Sequence, residues 1–421
     1  MRVVALGATG WFGRAAAALL CASEEVSEIV IAGRNAALAE SLARELGNKA
    51  KVAQINAFDE TALTALVRGA DLLVNTSGPY FQTLLPALSA AIRARVNYCD
   101  FSEDWQAMAR ALSFDEEAKA AGITAIVGMG DAPGLTNLMA VHAARQFDAA
   151  HEIEVGWLSD IEGMLGTAVD NVALMRSAGR VNGCLQAIIH ALSGPIRNLQ
   201  DGEWVTLRPF AQQRRITLPG AATVEFHAFG SAEPNSLPRA LPGLQSATSW
   251  MCLLPRQVND LLRSQADRIA AGEISDRMAA AEVFEQLADH PEQWLDRPAD
   301  MPYGAAFAIC SGRKGGRALR YGCIPAWQYR PEILGRDLGT AAPLAAAALR
   351  MLRGEIAQAG VMPPEACIDP LPFFAEIAER WATVPNGGLL RQWWEPAEST
   401  IDIRWLANDA TSGSDAGGTE R

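Results

Sequence analysis

The sequence predicts an α/β protein in which a doubly wound parallel sheet is followed by a second α+β domain with a mixed sheet. Strand-length apolar segments alternate with helix-length segments up to about residue 130, and after that point the strands are joined by glycine-rich turns. The 421 residues, 49% of them hydrophobic, also exceed what one compact core usually holds. We therefore expect two domains.

The first turn contains Gly7, Gly10 and Gly13, directly after the apolar run Val3–Leu6 and before the alanine-rich stretch Arg14–Leu20. Glycines at such positions allow a tight turn, a close approach of the backbone to a pyrophosphate, and close packing of helix on strand. The free amides of the helix N-terminus then face the phosphates. We predict a Rossmann-type dinucleotide site, and the alternative is an ordinary glycine-rich turn. The turn residues predicted to bind the cofactor are Gly7, Thr9, Gly10, Trp11, Phe12 and Gly13.

The end of the second predicted strand indicates which dinucleotide is bound. Strand Ile29–Ala32 is followed by Gly33, Arg34 and Asn35. A site that prefers NAD usually has Asp or Glu here, whereas Arg accepts the extra 2′-phosphate of NADP. We predict NADP, with Arg34 and Asn35 at its ribose. The alternative is that Arg34 is a solvated loop residue.

The other elements of the first part follow in order. The predicted strands lie at 2–6, 28–32, 51–56, 71–76, 97–100 and 124–128, and the helices after the first lie at 36–46, 60–67, 84–93 and 114–121. Six strands suffice for a complete dinucleotide-binding domain, which we assign to residues 1–134.

The pattern changes after the loop at 130–134. Strands at 152–158, 215–218, 222–228, 305–311 and 318–322, with helices at 171–179, 184–192 and 257–271, predict an α+β domain over residues 135–330 that binds substrate or forms the oligomer. Helices at 340–359 and 371–382 follow within residues 331–400. The polar tail at 408–421 is expected to be disordered.

Charge and composition exclude several functions. The net charge of −12 argues against a nucleic-acid partner, and no segment has the apolar length of a membrane span. The seven cysteines form no CxxC pair and the five histidines lack ligand spacing, so we predict no metal site and a reduced, cytoplasmic protein. The first twenty residues could instead be read as a lipoprotein signal, but glycines and Arg14 interrupt the hydrophobic core that a signal requires.

Six segments, taken together, resemble the saccharopine dehydrogenase-like oxidoreductases. They are GATGWFGR (7–14), AGRN (32–35), NTSGPY (75–80), NYCDFSED (97–104), GMGDAPGLTN (128–137) and GVMPPE (360–365). The resemblance implies C-terminal helices that pack back on the first domain, and hydride exchange between a nicotinamide and a C–N bond. One departure leaves the substrate class open: members that act on saccharopine or carboxylated polyamines usually carry Asp before Pro-Gly, where this chain has Ala132.

The turn after the fourth strand is the second predicted part of the cofactor site. Ser77, Gly78 and Pro79 follow the strand at the carboxyl edge of the sheet, where open α/β folds bind ligands. We expect these three residues to line the ribose and nicotinamide, and the alternative is a plain β–α turn. Tyr80 is a candidate proton donor or a packing residue.

Asp100 is the first candidate for acid–base chemistry, because a buried carboxylate at the end of the fifth strand has a raised pKa and can exchange a proton with an amine. The alternative is that Asp100 caps the next turn through Ser102 or the following amides. Asp131 is the second candidate, with helix capping as its alternative.

These observations predict an NADP(H)-dependent oxidoreductase that transfers hydride between the nicotinamide and an imine or amine. The alternatives are reduction of an activated C=C or C=O bond, and a non-catalytic protein that senses NADP(H). We expect a homodimer that acts on a small molecule.

Overall fold

The first part of the protein alternates strands and helices, as predicted. The computed structural model describes residues 1–160, 183–218, 223–289, 305–330, 339–385, 388–397 and 403–405. The strands of the first part are β1 (Arg2–Leu6), β2 (Glu28–Gly33), β3 (Ala50–Gln54), β4 (Leu72–Asn75), β5 (Asn97–Asp100) and β6 (Thr124–Ile126). The helices are α1 (Trp11–Ala22), α2 (Ala36–Leu46), α3 (Glu60–Val67), α4 (Tyr80–Ala94), α5 (Trp105–Leu112) and α6 (Asp115–Ala121).

The middle of the chain supplies most of a second sheet. The strands of that sheet from this part are β7 (Ala149–Asp160), β8 (Ile196–Gln200), β9 (Glu203–Leu207), β10 (Gln212–Thr217), β11 (Thr223–Ala228), β12 (Ser246–Leu254), β13 (Ala305–Lys314) and β14 (Arg317–Pro325). The middle of the chain also contains β15 (Gln328–Tyr329), which lies outside that sheet. Its helices are α7 (Leu135–Ala144), α8 (Gly183–Ser193), α9 (Glu233–Ala240), α10 (Gln257–Ala270) and α11 (Asp276–Asp289).

The last part of the chain contributes to both sheets. Its helices are α12 (Ala341–Leu352) and α13 (Pro370–Trp381), with a 3₁₀ turn at Pro364–Ala366. Its strands are β16 (Gly360–Met362), β17 (Ala382–Thr383), β18 (Leu390–Pro396) and β19 (Ile403–Trp405).

The first sheet has seven parallel strands in the order β16-β6-β5-β4-β1-β2-β3. Strands β1 to β6 therefore follow the Rossmann order 3-2-1-4-5-6, in which the direction of strand addition reverses between β1 and β4. This confirms the predicted doubly wound sheet. The reversal opens a crevice at the carboxyl ends of β1 and β4, which is where such folds bind ligands.

The second sheet is mixed, as predicted. Strand β12 pairs in parallel with β7. The other neighbouring pairs on that side of the sheet are antiparallel: β7 with β13, β13 with β14, and β14 with β18. Helix α7 packs on β7 and β13 of the second sheet, α12 packs on α1 and β5 of the first part, and α13 contacts both α7 and α12. The alanines of α12 are almost all buried, because small side chains let the helix lie close to its neighbours.

Several elements were not predicted, for physical reasons. Strand β12 is buried on both faces and therefore lacks the alternation that identifies a half-buried strand. Helix α9 contains Pro234 and Pro238, which disfavour a helical interpretation of its sequence. Strand β16 has only three residues, and it forms because it pairs with β6. The prediction of one helix over residues 340–359 was wrong. The helix ends at Leu352, and a strand begins at Gly360.

Some predictions stay open. The predicted helix at 171–179 and the tail at 408–421 lie outside the described residues, and the domain boundaries stay predictions. Within the described ranges, no helix has the length and apolar character needed to cross a bilayer.

Candidate active site

The glycine turn lies at the carboxyl edge of the first sheet, between β1 and α1. Gly7 has φ +79°, and a Cβ built on it would lie 2.5 Å from the Ser77 nitrogen. A Cβ on Gly13 would lie 2.5 Å from Thr76 Oγ1 and 2.7 Å from the Gly7 oxygen. The packing of the protein itself therefore requires these two glycines. A Cβ on Gly10 would meet no described atom closer than the Gly7 oxygen, at 3.3 Å, so this position leaves room for a ligand.

The other residues of the turn occupy different environments. Thr9 lies beside the end of β2, with its Oγ1 4.0 Å from a Cβ built on Gly33. The Trp11 indole nitrogen is buried and has no hydrogen-bond partner among the described residues. The ring of Phe12 packs edge-on against Phe101, with 6.1 Å between ring centroids.

The two residues predicted at the ribose differ in whether their side chains already bond to the protein. Arg34 is exposed, and its side chain forms no hydrogen bond or ion pair with a described residue, although its carbonyl oxygen accepts a bond from Gln54 Nε2 at 3.1 Å. Asn35 caps α2, because its Oδ1 accepts a hydrogen bond from the Leu38 amide at 3.1 Å. Arg34 is therefore the residue available to a cofactor phosphate.

The turn after β4 is held in place by its own side chains. Asn75 Oδ1 accepts hydrogen bonds from the Ser77 amide at 3.1 Å and from Ser77 Oγ at 2.5 Å. Thr83 Oγ1 donates to the carbonyl oxygens of Ser77 and Pro79. These bonds fix Ser77, Gly78 and Pro79 beside the glycine turn, at the crevice.

Asp100 is fully engaged by hydrogen bonds at the end of β5. The Tyr98 hydroxyl donates to Oδ2 at 2.6 Å, and the amides of Ser102 and Gly128 donate to Oδ1 at 2.9 and 2.8 Å. The residue is 1% exposed, and burial raises its pKa to about 6 despite these bonds. This is the capping arrangement that was the alternative to a proton relay. Because Asn75 Nδ2 donates to the Tyr98 hydroxyl at 3.1 Å, Asp100 also helps orient Asn75.

Replacing Tyr98 by phenylalanine tests this chain of hydrogen bonds. The change leaves buried polar groups of Asn75 and Asp100 without a partner, so the free energy of unfolding should fall by about 1–3 kcal/mol. In the wild type, the hydrogen bond from Tyr98 lowers the pKa of Asp100, because it stabilises the ionised carboxylate. Losing this bond therefore costs most at a pH where Asp100 is ionised. Urea unfolding should therefore show a larger loss at pH 8 than at pH 5. An equal loss at both pH values would contradict this role of Tyr98.

Three loops meet at Phe101, directly after β5. The ring of Tyr80 packs edge-on against it, with centroids 5.0 Å apart. A Cβ built on Gly130 would lie 3.1 Å from Phe101 Cβ. Together with Phe12, these contacts join the glycine turn, the turn after β4 and the loop after β6. Tyr80 is buried in this cluster, which is the packing alternative considered for it.

Asp131 lies in the loop between β6 and α7, at the same edge of the sheet. It is partly exposed, and its carboxyl group has no hydrogen-bond partner among the described residues. Loss of solvation and the nearby charge of Glu233 raise its pKa to about 7. Burial, with a smaller contribution from the charge of Asp131, raises the pKa of Tyr329. A partly exposed residue whose carboxyl pKa lies near neutrality suits proton transfer.

Three glutamates that the sequence analysis did not assign lie close to this loop: Glu103, Glu233 and Glu365. Glu103 and Glu365 fall inside segments that carry the family resemblance, which is the signal that could have identified them. Glu233 has no comparable signal, because its partner Thr136 is 97 residues away in sequence.

Comparisons with known proteins agree with this geometry. Residues 3–126 match the family described as saccharopine dehydrogenase NADP binding domain. Carboxyaminopropylagmatine dehydrogenase from Synechocystis is 27% identical, over 92% of this chain and 98% of that protein. A putative trans-acting enoyl reductase from Mycobacterium tuberculosis is 27% identical, over 36% of this chain and 38% of its own length. An apo saccharopine dehydrogenase (L-Glu forming) from Saccharomyces cerevisiae has the same fold, with a TM-score of 0.60 at 15% identity, over 94% of this chain and 99% of that one.

The first sheet and its glycine turn therefore form an NADP-binding domain of the dehydrogenase type. Residues 3–126 are similar to the NADP-binding domain of saccharopine dehydrogenases, and nearly the whole chain is similar to a dehydrogenase of a related type. This confirms the family resemblance and the predicted cofactor.

Proposed function

We propose that this protein transfers hydride between NADP(H) and a C–N bond of a small substrate, with Asp131 as the group that exchanges the accompanying proton. The observation that carries the proposal is the position of Asp131, a partly exposed residue at the carboxyl edge of the NADP-binding sheet, with its pKa near 7. The full-length similarity to a dehydrogenase of a carboxyaminopropyl amine supports the C–N bond as the reacting group.

The residues of the crevice fit an NADP molecule. Gly10 leaves open space at the N-terminus of α1, where helix amides bind phosphate. Arg34 is exposed and unpaired within the described structure, as a guanidinium that binds a 2′-phosphate must be. Ser77 and Pro79 would line the nicotinamide side of the crevice. The cofactor, when bound, supplies the hydride or accepts it.

The proton has a separate route in this proposal. For imine reduction, protonated Asp131 donates to the substrate nitrogen as the carbon receives hydride, and the amine leaves with one more C–H and one more N–H bond. For amine oxidation the carboxylate takes the proton back. Asp100 is instead a positioning residue that acts through Tyr98. We therefore assign proton transfer to Asp131 and not to Asp100, which was the first candidate from the sequence.

Arg34 provides the test of cofactor choice. A hydrogen bond to a charged group contributes about 1.5–3 kcal/mol, so the wild type should bind NADPH at least about tenfold more tightly than NADH. Arg34→Asp should reverse this preference, because it removes the attraction for the 2′-phosphate and adds an acceptor for the ribose hydroxyls. Fluorescence titration with both cofactors measures the ratio. Arg44→Asp on the exposed face of α2 is the matched control, and equal affinities in the wild type would show that Arg34 does not read the phosphate.

Reduction of an activated C=C bond is the second candidate, favoured by the partial match to an enoyl reductase. A screen of amine and oxo-acid pairs, semialdehydes and enoyl compounds, followed by NADPH absorbance, separates the two. Consumption of NADPH only with carbonyl–amine pairs supports the C–N proposal. Consumption only with an enoyl compound overturns it, and no turnover at all favours an NADP(H) sensor.

The cellular setting and assembly complete the proposal. We place the protein in the cytoplasm as a homodimer, and the described cysteines, all free thiols, fit a reducing compartment. Light scattering coupled to size-exclusion chromatography measures the assembly state directly.

A further inference from the structure

Strand β18 forms one end of the second sheet. Among the described residues it pairs only with β14, which lies on its inner side. None of its seven residues is buried, and Trp394 is 43% exposed. An edge strand of this kind presents a row of N–H and C=O groups that can pair with another strand. Within the described structure, the outer side of β18 is therefore open to a further strand.

The backbone of β18 points alternately toward β14 and away from it. The amide of Ala326 donates to the carbonyl oxygen of Leu389, just before the paired stretch, and Ala397 bonds in the same way just after it. Because hydrogen-bonded pairs alternate along an antiparallel ladder, the odd-numbered residues of β18 bond to β14. The amides and carbonyl oxygens of Gln392 and Trp394 therefore point outward, where no described strand meets them.

The sequence of β18 is complementary to itself when two copies run antiparallel. A pair centred on Trp393 places Arg391 of one copy opposite Glu395 of the other, and a two-fold axis repeats this contact. It also places Gln392 opposite Trp394, so the outward groups of these two residues form four hydrogen bonds. Centring the pair on Gln392 or Trp394 instead leaves both charged residues opposite uncharged ones. The register centred on Trp393 is therefore the best matched.

The two charged residues of β18 are available for this contact. Arg391 is exposed and forms no ion pair with a described residue. Glu395 Oε1 accepts a hydrogen bond from Trp393 Nε1 at 2.8 Å, which holds the carboxylate on the same side of the sheet as Arg391. Glu395 Oε2 lies 3.9 Å from Arg320 Nη1, which is longer than a hydrogen bond. This oxygen can therefore accept a bond from another guanidinium.

The other sheet edges of the described structure lack this complementarity. Strands β16 and β19 have only three residues each. Strand β3 carries Lys51, which an antiparallel pair centred on Val52 would place opposite Ala53. A lysine on an edge strand discourages pairing with another chain. Strand β18 is therefore the edge that best fits a second copy of this protein.

We propose that β18 of one copy pairs with β18 of a second copy, antiparallel and centred on Trp393, so that the two second sheets form one continuous sheet. The inference rests on the homodimer proposed above and names its interface, but it does not depend on the chemistry at Asp131. Each copy contributes the same surface, as a closed two-fold dimer requires. Opposite-charge pairs across the strands then stabilise the contact.

Arg391→Glu tests the charge pairing. Analytical ultracentrifugation measures the dissociation constant of the dimer for the full-length protein. We expect the wild type to dimerise, and we expect the variant to dissociate at least about tenfold more readily, because two opposite-charge pairs become two like-charge pairs. NADPH affinity should not change, which shows that the variant is folded. Arg277→Glu makes the same charge change at an exposed position of α11 and is the matched control, which should leave the dimer unchanged.

Mixing two variants tests the register. Glu395→Arg alone should also weaken the dimer, because two arginines then face each other. An equimolar mixture of Arg391→Glu and Glu395→Arg restores both opposite-charge pairs in the mixed dimer, so the dissociation constant should return toward the wild-type value. A wild type that stays monomeric, Arg391→Glu protein that dimerises as tightly as the wild type, or a mixture of folded variants without recovery overturns the inference.

Gln392→Pro tests the backbone pairing and keeps the test decisive if Glu395→Arg does not fold. Proline removes an outward amide that β14 does not use, so the strand should stay in its own sheet and the dimer should weaken at least about tenfold. Val52→Pro is the matched control, because Lys49 and Ile55 bond to β2 and the amide of Val52 therefore points outward from β3. Unchanged dimerisation in folded Gln392→Pro overturns the inference. Failure of the proposed hydride transfer leaves these results intact, because they measure mass and not turnover.

Discussion

Replacing Asp131 by asparagine is expected to lower kcat for imine reduction by about 10²–10⁴-fold, with little change in NADPH affinity. Asparagine keeps the size of the side chain and removes its exchangeable proton. In the wild type, reduction requires protonated Asp131, so its rate should fall as pH rises through about 7, whereas amine oxidation should rise over the same range. Stopped-flow absorbance of NADPH across pH 5–9 measures both directions.

The control for this prediction is Asp260→Asn, which alters an exposed carboxylate on α10 and should leave kcat unchanged. If Asp131→Asn keeps the wild-type rate and pH profile, Asp131 does not carry the proton. A loss of rate that follows a loss of NADPH affinity would also count against the proposal, because a proton-transfer role predicts that the two separate.

Replacing Gly10 by valine is expected to weaken NADPH binding by about 100-fold or more while the protein stays folded. A Cβ at this position meets no described backbone closer than 3.3 Å, so the new methyl groups occupy the space left for the pyrophosphate. A hundredfold loss corresponds to about 2.7 kcal/mol of binding free energy. Fluorescence titration gives the affinity, and thermal unfolding without cofactor gives the stability.

Gly7→Ala is the informative companion, because a Cβ there meets the Ser77 nitrogen at 2.5 Å and the backbone has φ +79°. This change should lower the melting temperature of the cofactor-free protein, and Gly10→Val should not. Near-normal NADPH affinity in folded Gly10→Val would contradict the assignment of the glycine turn as the pyrophosphate-binding site.

Local patterns were sufficient to predict the first sheet and its cofactor. Each strand from β1 to β6 is an apolar run bounded by turn residues. The glycines at 7, 10 and 13 allow the tight turn, the approach to the pyrophosphate and the helix–strand packing that one β–α turn requires. Arg34 follows from the same reasoning, since the ribose position is fixed relative to the second strand. The predictions of the sheet and of the cofactor succeed because their causes lie within about thirty residues of each other in sequence, whereas the role of Arg34 stays a prediction.

The candidate acid–base residues required information that the sequence does not hold. Asp100 ends β5, and Asp131 lies in the loop after β6 at the same sheet edge. Only the surrounding structure shows that three hydrogen bonds reach the carboxylate of Asp100 and that none from a described residue reaches that of Asp131. Glu233 and Glu365 reach the site through hydrogen bonds to residues 97 and 228 positions away in sequence. No local pattern predicts contacts of this length.

The strand β16 has a consequence for how the protein is made. Thr124, at the start of β6, donates a hydrogen bond to Gln358, 234 residues later in the chain. At ribosomal speeds of about 5–20 residues per second, the edge of β6 is synthesised roughly 10–50 seconds before the strand that covers it. During that interval the nascent NADP-binding sheet has an open parallel edge, which is the kind of surface that recruits another strand. Strand β16 therefore closes the sheet late, so a chain interrupted before Gly360 would leave its cofactor domain exposed to association with other nascent chains.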